Sequence, residues 1–209
     1  MPRTAPRRQT PLRRPELVDA AREMIRTSGL GQLSLRKLAN ELGVTAPALY
    51  AHVQDKNDLI ASVAAQGFDE LVSAFDAVDA SDPMDRLFEY SRCYVDMATS
   101  EPELFRVMFV FRPGAVPMPN IDNELPAATT AWENPGEAIS EAIEAGRIHP
   151  DRDPLLTAMT LWTCTHGIAS VLLLGQHDGE LVLPENSTEL INDAIHTMLA
   201  GLSLPPVPA

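Results

Sequence analysis

Cysteine is nearly absent from this chain: Cys93 and Cys164 are the only two among 209 residues. Two thiols make neither a disulfide scaffold nor a zinc site, so a reducing, cytoplasmic setting is expected. No apolar run reaches the roughly 18 residues that cross a bilayer, and no membrane partner is expected. The opening "MPRTAPRRQTPLRRPEL" carries arginines but no apolar core, so it does not read as a secretory signal. No stretch alternates polar and apolar residues with period two, which argues against strands. Catalytic and metal-binding constellations are missing as well. His52, His149, His166, His177 and His196 are scattered, and no Glu-x-x-His pair occurs. His166 has Ala169 and Ser170, not a second ligand, three and four residues on. Cys164 and His166 are two residues apart, about 200° around a helix, which is the wrong geometry for a nucleophile and its base. No catalytic residue, metal or cofactor is therefore predicted, and an enzyme is the reading that these absences disfavour.

Positive charge is also scarce overall, with a net charge of −13, but it is unevenly placed. Residues 1–60 hold ten Lys or Arg against six acids, whereas 61–209 hold six against 23. That division suggests a basic module for a polyanion and an acidic body, although a solvated surface with a basic tail fits the numbers equally well.

What is present is helical periodicity, and the fold expected is all-α with about nine helices. Leu17, Ala21, Met24 and Ile25 share one face of a first helix that Gly29 stops. Ser34 is placed to cap a short helix burying Leu35, Leu38, Ala39 and Leu42, and Thr45 to cap the next, "APALYAHV". Asp55 is placed to cap a long third element with Ile60, Ala64, Phe68, Leu71, Val72 and Phe75 on its apolar face. Further helices are expected at 83–99, 101–111, 136–147, 154–175 and 185–201. The proline-rich 112–131 reads as a long irregular connection.

Two short helices joined by "GVT" have the spacing of a helix-turn-helix, in which the second helix presents its first residues to base edges in the major groove. The segment "LSLRKLANELGVTAPALYAHVQDKNDLI" resembles the DNA-binding segment of the tetracycline-repressor (TetR) family of bacterial regulators. The matching residues are Leu35, Leu38, Ala39, Gly43, Val44, Thr45, Leu49, Tyr50, His52, Lys56 and Leu59; Val53 stands where the family usually has an aromatic residue. Trp162, His166 and Gly167 are similar to the W-x-x-x-H-G signature of one C-terminal class of that family, the WHG domain, and "EPELFRVMF" resembles its short helix.

Composition gives residues 1–11, rich in Pro and Arg, as a flexible basic arm and 204–209 as a disordered tail; the resemblance implies 12–58 as the DNA-binding domain and 59–203 as the ligand-binding and dimerisation domain. It implies a homodimer on a palindromic operator in double-stranded DNA, a repressor released by an unidentified small-molecule effector. A constitutive DNA-binding regulator without an inducer is the alternative. Thr45, Ala46, Pro47 and Ala48 form the leading turn; none is a long donor, so shape and thymine-methyl contact are expected there. Ser34, Arg36 and Lys37 lie on or beside the preceding helix, and the two cations could supply polar readout. Tyr50, His52 and Lys56 resemble the phosphate-contacting positions of the family. An effector pocket is expected from Tyr94, Met97, Phe105, Phe109, Trp132, Trp162 and His166. A dimer interface is expected from Ile168, Leu172, Ile191, Ile195, Met198 and Leu199, because the last helices pack as a four-helix bundle in such proteins. The helix at 154–175, apolar on two sides, has two faces to bury.

Overall fold

The computed structural model describes residues 11–109, 126–178 and 187–206. The readings of the arm to residue 10, of 112–125 and of the last three residues lie outside that range. Within it the secondary structure is helical and contains no strand. The helices are α1 (Arg14–Ser28), α2 (Leu35–Glu41), α3 (Ala46–Tyr50), α4 (Lys56–Asp76), α5 (Pro83–Ser100), α6 (Pro102–Phe109), α7 (Pro126–Glu144), α8 (Pro154–Asp178) and α9 (Ser187–Ala200), with 3-10 turns at Leu30–Gln32 and Gly201–Ser203.

Two compact units divide the chain. Among the described residues the first holds 11–68 and 103–109, and the second holds 69–102, 126–178 and 187–206. The division runs through α4, ten residues beyond the boundary expected from sequence, and gives most of α6 to the first unit. The core of the first unit is built from Leu17, Val18, Ala21 and Ile25 of α1, Leu38 and Ala39 of α2, Leu49 of α3, Leu59 and Val63 of α4, and Leu104, Phe105 and Met108 of α6, all buried. Removing that apolar surface from water drives the packing. α6 can approach α4 because position 67 is glycine: a Cβ there would overlap Met108 Sδ and lie 2.9 Å from Met108 Cγ. Phe68, Phe105 and Phe109 close the same contact, with ring centroids 5.3 Å (Phe68–Phe109) and 4.8 Å (Phe105–Phe109) apart.

The second unit packs α5 against α7, α8 and α9. Leu87, Tyr94 and Val95 of α5 meet Ala138, Ile139 and Ala142 of α7, Leu161, Ala169 and Leu172 of α8, and Ile191, Ile195 and Leu199 of α9 in its interior. Asp82 caps α5, its carboxylate accepting from the Met84 N–H at 2.8 Å, with Pro83 at the first helical position where no N–H is required.

Two expectations change here. α7 begins ten residues earlier than periodicity suggested and carries Pro135 inside it. Proline removes one helix hydrogen bond, yet Ala128, Trp132, Ala138, Ile139 and Ala142 continue one inward face on both sides of it, and that packing carries the helix through. α8 also holds a 21-residue stretch, Pro154–Leu174, long and apolar enough by composition to cross a bilayer, though only 33% of it is buried. Within the protomer it is thus not buried all round.

Candidate functional site

The first candidate surface is the α2–α3 pair. Gly43 has φ 67°, the left-handed conformation that glycine adopts without a Cβ clash. It lets the Val44 N–H donate to Ala39 O at 3.0 Å and the Gly43 N–H to Asn40 O at 3.3 Å, so α2 ends in a Schellman turn and the chain reverses directly into α3. Thr45 and Ser34 occupy the N-cap positions in extended conformation, but neither side chain makes a cap hydrogen bond. Pro47 lies in the first turn of α3. Leu49 and Val53 are buried at 0% and 3% exposure and anchor α3 from beneath. That anchoring turns Thr45, Ala46 and Pro47 outward. Tyr50 is 57% exposed, which rules out a core ring at that position. Arg36 and Lys37 are exposed on α2, with Lys37 Nζ donating to Gln32 Oε1 at 3.1 Å. Half-buried His52 and Lys56 flank the turn into α4.

Asp55 caps α4 as its position suggested: Oδ1 accepts from the N–H groups of Asn57 at 2.7 Å and Asp58 at 2.9 Å. Those amides are therefore occupied, and a phosphate at this helix start would meet chiefly the Lys56 ammonium and its own N–H. Arg14, at the start of α1, is a clasp. Its guanidinium donates to His52 O, to Asp58 Oδ1 at 2.7 Å and to Ser62 Oγ at 2.8 Å. Asp58 also accepts from the Gln54 N–H at 2.8 Å. The Arg14 hydrogen bond, more than the backbone one, holds the Asp58 carboxyl below the usual carboxylate range. The start of α1, the loop after α3 and the start of α4 are thereby tied into one block. Sequence reasoning missed this because residues 44 positions apart show no spacing signal.

The second candidate is an aromatic network in the second unit. Trp162 Nε1–H donates to Tyr94 Oη at 3.2 Å, and Tyr94 Oη is 2.8 Å from His166 Nδ1. An indole N–H only donates, so the Tyr94 hydroxyl accepts from it and has its own proton to give to Nδ1. Burial lowers the pKa of His166 and raises that of Tyr94, so near neutral pH both are uncharged. Donation of that proton to Nδ1 requires the His166 tautomer protonated at Nε2. Trp132 on α7 approaches Trp162 with ring centroids 5.6 Å apart.

Of the seven residues expected to form a pocket, the structure brings together Tyr94, Trp132, Trp162 and His166. Met97 is half-buried on the same helix as Tyr94. Phe105 and Phe109 pack with Phe68 in the first unit. Beside Trp132, α7 and the start of α8 line an open groove of about 630 Å³. Among the described residues no group of three or more His, Cys, Asp or Glu could hold a metal.

Of the expected interface residues, Leu172, Ile191, Ile195 and Leu199 are buried in the protomer and Ile168 and Met198 half-buried. The exposed face of α8 is a different stripe: Leu156, Thr160, Thr163, Cys164, Gly167, Val171 and Leu174 recur every three to four residues on one side.

Comparison with known proteins follows the same division. Residues 17–63 match the bacterial regulatory proteins of the tetR family, and residues 87–198, more than half of the chain, match the tetracyclin repressor-like C-terminal domain. The class D tetracycline repressor protein of Escherichia coli is 40% identical over 55 residues, covering 26% of this chain and 25% of its own length. The chain thus spans about a quarter of the length of the curated relatives it matches. A protein of unknown function from Rhodococcus sp. RHA1 is similar in structure over 91% of this chain and 95% of its own, with a TM-score of 0.76 and 28% identity. A TetR variant from Acinetobacter baumannii AYE, solved in complex with minocycline, shares the fold over 91% of this chain and 96% of its own, with a TM-score of 0.65 and 22% identity. The C-terminal match is to the broad repressor-like domain and does not single out the WHG class. By its N-terminal and C-terminal matches together, this chain belongs to the TetR family, a family of bacterial transcription regulators and not of enzymes.

Proposed function

We propose that the protein is a homodimeric, sequence-specific DNA-binding regulator, a repressor that a small-molecule effector releases from a palindromic operator. The observation that carries this reading is the α2–α3 pair: an exposed, uncharged leading turn on a short helix anchored by Leu49 and Val53, with exposed Tyr50 and Arg36 beside it. Thr45, Ala46, Pro47 and Ala48 enter the major groove, where small groups read shape and thymine methyls. Ser34, Arg36, Lys37, Tyr50, His52 and Lys56 contact phosphates or base edges around them, positioning the protein on the duplex.

The α8 stripe supports the dimer. A Cβ on Gly167 would meet nothing within 4 Å in the protomer, so the chain itself gives no reason for a glycine there. Glycine in mid-helix costs about 1 kcal/mol relative to alanine. A second copy seated on Leu156, Gly167, Val171 and Leu174 supplies that reason and covers side chains 64%, 58% and 43% exposed at Leu156, Leu174 and Val171. Two-fold symmetry then sets operator half-sites about one helical turn, or a multiple, apart.

The network of Tyr94, Trp162 and His166 supports an effector site in a WHG-like body, and the Acinetobacter baumannii neighbour of the same fold was solved in complex with minocycline. An effector acts only as far as it binds two conformations differently, and α4, continuous from the reading head into the body, is the lever. Selection of bound duplexes from a random pool tests the reading: a palindrome with two equivalent half-sites is expected. Lys56→Ala should weaken binding to it across sequences, and retention of only non-specific binding by the wild type would refute the proposal.

A further inference from the structure

The groove between α7 and α8 has a composition that selects a ligand class. Its walls are apolar, formed by Trp132, Leu155 and Ala158 over the bare backbone of Gly136. Leu155 is 51% exposed, so among the described residues the groove stands open. Its ionisable side chains are all of one sign: Glu133, Glu137 and Glu141 stand four residues apart along α7. Arg86 pairs with Glu141, but among the described residues Glu133 and Glu137 have no ion-pair partner. Like charges at that spacing oppose each other on a helix. An anion is repelled here, and a neutral apolar molecule leaves the exposed carboxylates without a counter-charge. A small hydrophilic cation leaves the apolar walls unfilled. A cation with an apolar body meets every feature, its charge between the carboxylates and against the Trp132 face, its body on Leu155 and Ala158.

We propose that this α7–α8 groove binds a lipophilic organic cation, and that such a cation is the effector. The second clause rests on the ligand-released repressor reading above; the first does not. A second copy of the chain is disfavoured as occupant because Leu155 and Trp162 lie about 100–140° around α8 from the exposed stripe at Leu156 and Gly167.

Tetraphenylphosphonium and tetraphenylborate, close in size and opposite in charge, make the test. The chain has two tryptophans, Trp132 in the groove wall and Trp162 with its ring centroid 5.6 Å from that of Trp132, so quenching of Trp132 emission reports the groove and calorimetry gives the affinity. The phosphonium should bind at least tenfold more tightly than the borate. Glu133→Gln with Glu137→Gln should remove most of that preference at unchanged melting temperature. Gly136→Leu, at a position where a Cβ meets nothing within 4 Å, should fill the groove and abolish binding while the dimer persists. Equal binding of the two ions, or wild-type affinity in the carboxamide variant, would overturn the proposal. So would a change of oligomeric state in Gly136→Leu, which would make a second copy the occupant. Operator release is read separately: a cation bound by these criteria that leaves the operator occupied keeps the site and removes its effector role.

Discussion

Gly67→Ala sets two effects of similar size against each other. Replacing a mid-helix glycine by alanine favours the helix by about 1 kcal/mol. Here, however, the new Cβ overlaps Met108 Sδ and stands 2.9 Å from Met108 Cγ and 3.2 Å from Leu104 Cδ1. Met108 and Leu104 are 1% and 2% exposed, so neither has solvent to swing into. Overpacking of this kind costs about 1–3 kcal/mol, which leaves a net loss of about 1 kcal/mol, or roughly 2–4 °C in a chain of this size. Met108→Ala alone should cost about 2–5 kcal/mol through the cavity it leaves. In the double variant the methyl at position 67 occupies part of that cavity, so the two costs should fall short of their sum by about 1–2 kcal/mol. Urea unfolding at one fixed protein concentration measures all four corners, because the stability of a dimer depends on concentration. A Gly67→Ala protein more stable than the wild type, together with additive costs, would refute the close approach of α6 to α4.

Other consequences follow from the second unit. Tyr94→Phe takes away the acceptor of Trp162 and the donor to His166, and at about 1 kcal/mol for each lost hydrogen bond should lower the melting temperature by roughly 4–8 °C. His166 is half-buried and its pKa lies below the usual 6.5, so the unfolded chain binds more protons just below that value and stability falls as pH drops from about 6.5 towards the folded pKa. His166→Gln should make the melting curve less sensitive to pH across that window; an unchanged slope would mean that other groups set it. Val171→Asp should yield monomers by light scattering with the helical circular-dichroism signal retained. A charge at fully buried Ile195 would instead unfold the protomer, so Val171 is the cleaner position.

The helices were legible where one period ran uninterrupted. α1, α4, α5 and α9 appear close to their sequence-derived limits because each keeps an apolar residue every three to four positions. α7 was truncated in the reading because Pro135–Gly136 looks like a boundary, whereas packing of Ala128 and Trp132 on its near side outweighs the lost hydrogen bond. Asp55 was a legible cap, since an aspartate before a lysine and a periodic run has few other uses; Ser34 and Thr45 take the cap positions without the cap bond. Trp162 and His166, one turn apart, could be paired from spacing, but Tyr94 could not, since it reaches them from another helix. Phe105 and Phe109 show a further limit. An apolar stripe says that a helix is buried and leaves open in which of two cores. The same ambiguity assigned Leu172, rather than Val171, to the outer side of α8.

The pairing of basic residues in the first unit has a consequence for how binding responds to salt. Ten cations precede residue 61, but Arg13 is held by Glu16, Arg14 by Asp58 and Arg26 by Glu23. On α2 and at the start of α4, the elements that carry the expected DNA contacts, stand Arg36, Lys37 and Lys56, three in each protomer. Each phosphate neutralised on duplex DNA releases counterions worth about −0.9 in the slope of log affinity against log salt. A dimer gripping with those three alone should therefore show a slope of about −5, far shallower than its sequence charge implies. If Arg3, Arg7 and Arg8 join the contact, the slope doubles to about −11. A salt titration of the full chain thus counts the hands on the DNA, and repeating it with residues 1–10 deleted tells which of them belong to the arm.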